Sequence, residues 1–279
     1  MIKRILILLF FSNIILAQSN EYLFDLSSMN PAALAIENNS ISLYYSNKLV
    51  GINSAPKHQK VSYQSYIDKN TTIGVSLISQ TKGPSGSTSF SFSYAHHINL
   101  SKKTRLALGL QPEVQSAYFD EKNLLTGEGN DNAISGELHQ EILPNAASGI
   151  YIYTTKLNLG FSATNLFGNN IYSRKVGAKS PISYLGYLNY KLPLYKFKVE
   201  LGSMLNLTEN SPVISRFHLK SSYHNFTVGA TLDNLNSFGI MTGLTSGKMI
   251  FYYIHSTPQE INNTISIGSN EIKIIYLLQ

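Results

Sequence analysis

Cysteine is absent from the chain. That excludes a disulfide framework, thiolate nucleophiles and cysteine-ligated metals, so the fold must rest on burial and backbone pairing. Charge is scarce too: 14% of the residues are Asp, Glu, Lys or Arg, against roughly 25% in an ordinary soluble domain. A broad solvated surface would carry more. Beyond the first residues no stretch approaches the roughly twenty consecutive apolar residues that a membrane-crossing helix needs. Helical membrane proteins are thereby excluded.

Recognisable active-site chemistry is the next absence. No P-loop, nucleophile elbow or HExxH pattern occurs, and the seven histidines are scattered. His96 and His97 are neighbours, so on a strand they point to opposite faces and cannot share a metal on one side. Gly83-Pro84-Ser85-Gly86 reads as a loop tip, because Pro84 and the lack of a following helix do not suit a phosphate cradle. No catalytic, cofactor-binding or metal-binding residue is assigned. The chain is expected to be no enzyme, to need no cofactor and to have no nucleic-acid partner; the formal charge of +6 is mild once Lys3 and Arg4 are set aside.

Those two residues begin what is present. Lys3 and Arg4 precede a mostly apolar run over 5–16 and the small Ala17, the layout of a signal peptide spanning 1–17. Residues 18–39 are then expected to form a periplasmic N-terminal segment or plug, and 40–279 an outer-membrane barrel.

Barrel architecture follows from periodicity. At 87–95 the chain reads STSFSFSYA, with Phe90, Phe92 and Tyr94 alternating against Ser89, Ser91 and Ser93. Period two means strand. Comparable runs predict strands at 40–49, 59–66, 71–79, 88–97, 104–118, 147–153, 157–164, 182–191, 196–206, 213–222, 226–232, 237–244, 248–256 and 270–278. About fourteen antiparallel strands is an even count that suits a closed bacterial barrel. Returns at 68–70, 99–103, 154–156 and 246–248 are short, whereas most crossovers on the other side, at 51–58, 80–87, 119–146, 165–181 and 257–269, are much longer. Outer-membrane barrels have that asymmetry.

A secreted or periplasmic β-sandwich also alternates, but it normally shows charge on its outer face. Here the polar face is Ser, Gly, Asn and Gln, as in Asn158, Gly160 and Ser162 opposite Leu157, Leu159 and Phe161. The aromatic and aliphatic face is therefore assigned to lipid and the small polar face to a neutral, wet lumen. Tyr45, Tyr66, Tyr94, Tyr118, Tyr153 and Tyr190 at strand ends are candidates for interfacial girdles.

Two charge features are candidates for partner binding. The crossover 119–146 is acidic, with Asp120, Glu121, Glu128, Asp131 and Glu137, while the short-turn rim is basic, with Lys102, Lys103 and Arg105.

Several stretches, taken in order, resemble the PorP/SprF family of Bacteroidetes outer-membrane proteins, linked to type IX secretion and gliding motility. They are MNPAALA at 29–35, VGINSAPKHQKVSY at 50–63, the run 73–111, PNAASGIYIYTTKLNLGFSATNLF at 144–167 and GSNEIKIIYLL at 268–278. Asn30, Pro31, Ala32, Gly51 and Pro56 carry the family pattern. The chain departs from it in having Leu49-Val50 where Trp is frequent, and Asn270 where His is common. The resemblance implies a non-enzymatic barrel that helps secrete a surface protein, such as an adhesin, and anchors its C-terminal domain outside the cell. Its implied partners are that secreted protein, periplasmic or lipoprotein components of type IX secretion, and outer-membrane lipid and lipopolysaccharide. Asn30-Pro31-Ala32 also resembles FadL-like and PorV-like barrels, which implies the competing function of a channel or binding barrel for small hydrophobic compounds.

Overall fold

The computed structural model of the chain describes residues 20–34, 39–51, 54–120, 138–168, 180–234, 237–258 and 268–278. Among these are β1 (Ser40–Asn47), β2 (Lys57–Tyr66), β3 (Thr71–Lys82), β4 (Ser85–Asn99), β5 (Thr104–Asp120), β6 (Leu138–Thr154) and β7 (Leu157–Thr164). They continue as β8 (Ser183–Leu194), β9 (Phe197–Thr208), β10 (Ile214–Tyr223), β11 (Phe226–Asp233), β12 (Ser237–Ser246), β13 (Met249–Pro258) and β14 (Ser269–Leu277). Each strand pairs antiparallel with the next, and β14 returns to β1 with Ser40 opposite Leu277. Closure leaves the ring without an open edge, as a sheet in hydrocarbon requires.

Side-chain exposure fixes which face is out. Phe90, Phe92 and Tyr94 are 53%, 42% and 42% exposed, whereas Ser89, Ser91 and Ser93 are 6%, 1% and 7% exposed. The exposed apolar side chains continue around the ring through Leu108, Ile150, Leu159, Leu188, Leu205, Leu219, Val228, Ile240 and Ile272. An apolar exterior around a polar interior is the inverse of a soluble domain. His96 and His97 take opposite faces, His97 being buried and His96 exposed.

Turn chemistry explains the short rim. At 195–196, 224–225 and 247–248 the first turn residue is left-handed, with φ of 53° at Tyr195, 51° at His224 and 58° at Gly247. That conformation matches the twist of tight hairpins. Longer connections lie at the opposite rim.

Three expectations need correction. The crossover assigned to 80–87 is a hairpin in which Lys82 pairs with Ser85, with Gly83 left-handed at the turn. The crossover assigned to 119–146 is largely strand at its second end: β6 starts at Leu138, and Phe119 pairs with His139. Pro144 obscured this, since proline argues against a central strand; here it lies beyond Ser148↔Ala163, where the described pairing to β7 begins. Finally, Tyr66 and Tyr153 are not girdle residues. Both rings pack on the buried His97, at 5.8 and 6.0 Å between centroids.

Candidate functional site

The lumen holds a stretch of the chain itself. Residues 20–34 form three single turns of 3-10 helix, Glu21–Leu23, Leu26–Ser28 and Pro31–Ala33, inside the ring of strands. Local sequence explains two of them. Asp25 and Asn30 are N-caps whose side chains accept from the backbone N–H groups of Ser27 (3.0 Å) and Ala32 (2.9 Å), and Pro31 follows at the first position, where its missing N–H is not needed.

One end of the segment is seated by shape. Gly109 on β5 pairs directly with Gly149 on β6, and Gly160 on β7 lies beside them. A Cβ on Gly109 would overlap the backbone of Pro31 and Ala32, and one on Gly149 would overlap the side-chain oxygen of Asn30. The three glycines thus form a notch for Asn30-Pro31-Ala32. Asn30 Nδ2 then donates to the carbonyls of Ile150 (3.1 Å) and Phe161 (3.4 Å), and Ser162 Oγ donates to the Met29 carbonyl (2.7 Å).

Charge holds the other end. Lys60 Nζ lies 3.0 Å from Glu21, and Lys273 Nζ lies 2.9 Å from Asp25 and 3.8 Å from Glu21. Burial alone would raise the Asp25 carboxyl, but Lys273 and then Lys60 outweigh it and hold that group well below the usual carboxylate range. Two residues along β14, Glu271 accepts from the Asn20 backbone N–H (2.9 Å), the Asn20 side-chain amide (2.9 Å) and the Tyr44 hydroxyl (2.5 Å).

Both ends also contribute to an apolar belt. Tyr22, Leu23, Ala32 and Ala33 of the segment pack with Ala107, Tyr151, Leu185, Tyr187, Met204, Met241 and Ile254 of the wall. Arg216 stands 5.5 Å from the Tyr22 ring centre and 3.6 Å from Asp233; nearby, Lys220 lies 2.9 Å from Glu200. The lumen is therefore not the neutral surface expected from serine, glycine and asparagine. Its wall carries buried ion pairs as well as small polar groups.

Chemically, this arrangement binds polypeptide. Side-chain amides and hydroxyls meet backbone carbonyls, carboxylates meet a backbone N–H, and lysines meet acidic side chains. Among the described residues no group of three or more His, Asp or Glu is placed to hold a metal.

The residues singled out from sequence fall in separate places. Asn30, Pro31 and Ala32 seat the segment; Gly51, with φ of 94°, and Pro56, whose carbonyl accepts from the Lys48 N–H at 2.9 Å, belong to the β1–β2 connection at the long-loop rim. That connection is tied to its neighbours by Val50 N–H to the Gly268 carbonyl (3.0 Å) and Gly83 N–H to the Ser54 carbonyl (3.0 Å). Asp120 sits at the same rim, with its N–H on the Pro84 carbonyl (2.9 Å). Glu121, Glu128, Asp131 and Glu137 lie outside the described residues. Lys102 and Lys103 are exposed at the opposite rim, and Arg105 donates to the Lys69 carbonyl (2.9 Å) and to Asn70 (3.4 Å) in the adjacent turn.

Missed from sequence were Lys60, Glu271 and Lys273 on the wall and Glu21 and Asp25 on the segment. The available signal was weak: ionisable residues at lumen-facing positions of strands with so few charges.

Known structures share this architecture. The CymD monoaromatic hydrocarbon channel superposes with a TM-score of 0.55 at 11% identity, over 94% of this chain and 93% of that one. The Pseudomonas putida toluene transporter TodX gives 0.51 at 10% identity, over 92% of each. At these identities the likeness is one of fold. No curated protein matches the chain in sequence. A family model described as type IX secretion system membrane protein PorP/SprF matches residues 12–276.

Proposed function

Since the chain belongs to the PorP/SprF family of type IX secretion system membrane proteins, and is an outer-membrane barrel, we propose that it helps secrete one surface protein and anchors that protein's C-terminal domain at the cell exterior. The observation that carries this reading is the lumen, which already holds an internal stretch of polypeptide through hydrogen bonds, ion pairs and a glycine notch. The family and fold are non-enzymatic in kind. The protein acts by binding, with no cofactor.

In this reading the short-turn rim faces the periplasm and the long connections face outward. Residues 20–34 act as a plug, and the leader over 1–17 is removed on export. The acidic crossover with Asp120, Glu121, Glu128, Asp131 and Glu137 grips the client. Lys102, Lys103 and Arg105 dock an acidic periplasmic or lipoprotein component of the secretion and gliding machinery. The competing reading, a channel for small hydrophobic compounds, is favoured by the apolar belt in the lumen but opposed by the buried charges beside it.

The test compares surface and medium proteomes of cells with and without this gene. Release of one large protein into the medium supports anchoring. An unchanged surface proteome, with altered uptake of an aromatic hydrocarbon, overturns it.

A further inference from the structure

The two ends of the lumenal segment are held differently. Asn30, Pro31 and Ala32 fit a notch that a Cβ on Gly109 or Gly149 would obstruct, whereas the end around residues 20–25 adds ion pairs to the packing of Tyr22 and Leu23. The wall that supplies the charge is built in a row. Tyr44 on β1 pairs with Lys60 on β2 to one side and with Lys273 on β14 to the other, and Tyr252 on β13 continues past Lys273. All four side chains line the lumen, because equivalent positions on adjacent strands share a face.

Lys60 and Lys273 are 7% and 0% exposed, and the acidic groups set against them, Glu21 and Asp25, come from the segment and not from the wall. Glu271, the nearest wall carboxylate along β14, is engaged by Asn20 and Tyr44. The segment reaches Lys60 and Lys273 with side chains and does not join the sheet, whose ladder is complete without it.

We propose that Lys60 and Lys273 form a binding site for acidic side chains of an incoming polypeptide, and that Glu21 and Asp25 occupy that site in cis until such a peptide replaces them. The proposal rests on the anchoring reading above and adds what the lumen recognises and how its occupant leaves. Simple withdrawal of the segment would strip two deeply placed ammonium groups of the carboxylates paired with them and take Asn20 from Glu271, leaving buried charges less well matched, which is unfavourable. Exchange for another carboxylate avoids that state. The notch end stays seated, so residues 20–28 move while Met29, Asn30, Pro31 and Ala32 hold the segment to the wall. The occupant is an extended acidic peptide; a neutral one gives the lysines nothing.

The full chain in detergent micelles provides the test. It has no cysteine, so Leu26→Cys creates a single thiol within the segment, and its rate of maleimide labelling reports release. Labelling is expected to be slow, to rise at least tenfold with a capped Asp/Glu hexapeptide, and to be unmoved by the Asn/Gln analogue. E21Q with D25N should label fast without peptide. Reversing both sides, E21K and D25K with K60E and K273E, should restore slow labelling and transfer the response to a Lys hexapeptide. Gel migration of unheated samples checks that each variant is a closed barrel. Equal acceleration by the neutral peptide overturns the proposal, as does the absence of any acidic-peptide response where E21Q with D25N labels fast. Loss of the client from cells lacking the gene, without peptide exchange in vitro, overturns the exchange and leaves anchoring standing; exchange in vitro with no client released overturns anchoring instead.

Discussion

A methyl group on Gly149 would overlap the side-chain oxygen of Asn30, which lies 119 positions earlier in the chain and is completely buried. The pair makes a strand glycine part of the seat for the N-terminal segment. Gly149→Ala is expected to force Asn30 outward and to destabilise the seated segment by about 1–3 kcal/mol, the usual range for overpacking. Protease accessibility of residues 20–34 in the intact barrel checks this. Gly186→Ala is the control, because a Cβ there meets nothing within 4 Å.

Asn30→Ala probes the same seat from the other side. It removes donors to the Ile150 and Phe161 carbonyls and the cap on the Ala32 N–H. Loss of a cap with buried hydrogen bonds is expected to cost about 1–3 kcal/mol. The readout is again release of the segment at low protease concentration, with the barrel itself still resistant to unfolding by detergent.

Acidification should leave the charged end of the segment in place longer than a free carboxylate would. Asp25 is held below the usual range by Lys273 and Lys60 against the opposing effect of burial. A group whose folded-state pKa is lowered contributes stability that is present above its unfolded value, about 3.9 for Asp, and lost as pH falls through the folded value. The segment is therefore expected to stay protected at pH 5, and to loosen only well below pH 4. The mobility of a nitroxide attached beforehand to a thiol at Leu26, followed from pH 6 down to pH 2, measures it without depending on thiolate reactivity, and D25N should remove the Asp25 component of that transition.

Phe92 and Ser91 test the faces. They are neighbours on β4, one exposed and one buried. Phe92→Lys places an ammonium against acyl chains near the middle of the strand, at a cost of about 2–4 kcal/mol at the bilayer midplane. Folding into lipid vesicles should fall accordingly. Ser91→Thr, on the lumen side, should fold like the parent.

How much of this could be read from the chain differs between the wall and its contents. The wall was legible because its signal is local: alternation names the strand, and β7 at Leu157–Thr164 has the boundaries that its residues suggest. Faces were legible from composition, since Phe92 and Leu108 have no reason to be exposed unless the solvent is lipid. Boundaries failed where proline interrupted the pattern, as at Pro144, because whether a missing N–H matters depends on where the next strand starts. The contents were not legible. Asn30-Pro31 announces a capped turn, but nothing local says that its seat is Gly109, Gly149 and Gly160 on three strands. Lys273 alternates properly with Ile272 and Ile274 and reads as one more polar lumen position. That its partner is Asp25 depends on closure of β14 onto β1.

The basic rim is tested most cleanly with two of its three residues. Arg105 is engaged with the adjacent turn through the Lys69 carbonyl and Asn70, and its guanidinium stands 5.8 Å from the Tyr153 ring centre. Reversing it to Glu would damage the turn as well as the surface charge. Lys102 and Lys103 are exposed in the β4–β5 turn, where the Lys103 N–H donates to the Ser101 hydroxyl at 3.3 Å and the lysine side chains project into solvent. K102E with K103E therefore changes charge with little change of fold, since an exposed substitution of this kind typically moves stability by less than about 0.5 kcal/mol. If that rim docks an acidic periplasmic partner, co-purification with secretion components should drop several-fold at low salt, while insertion and gel migration stay normal. The wild-type association should weaken in parallel as salt rises, because charges at an exposed rim are screened over roughly 8–10 Å at physiological ionic strength. Partners retained by the double reversal at low salt would place the docking surface elsewhere on the barrel.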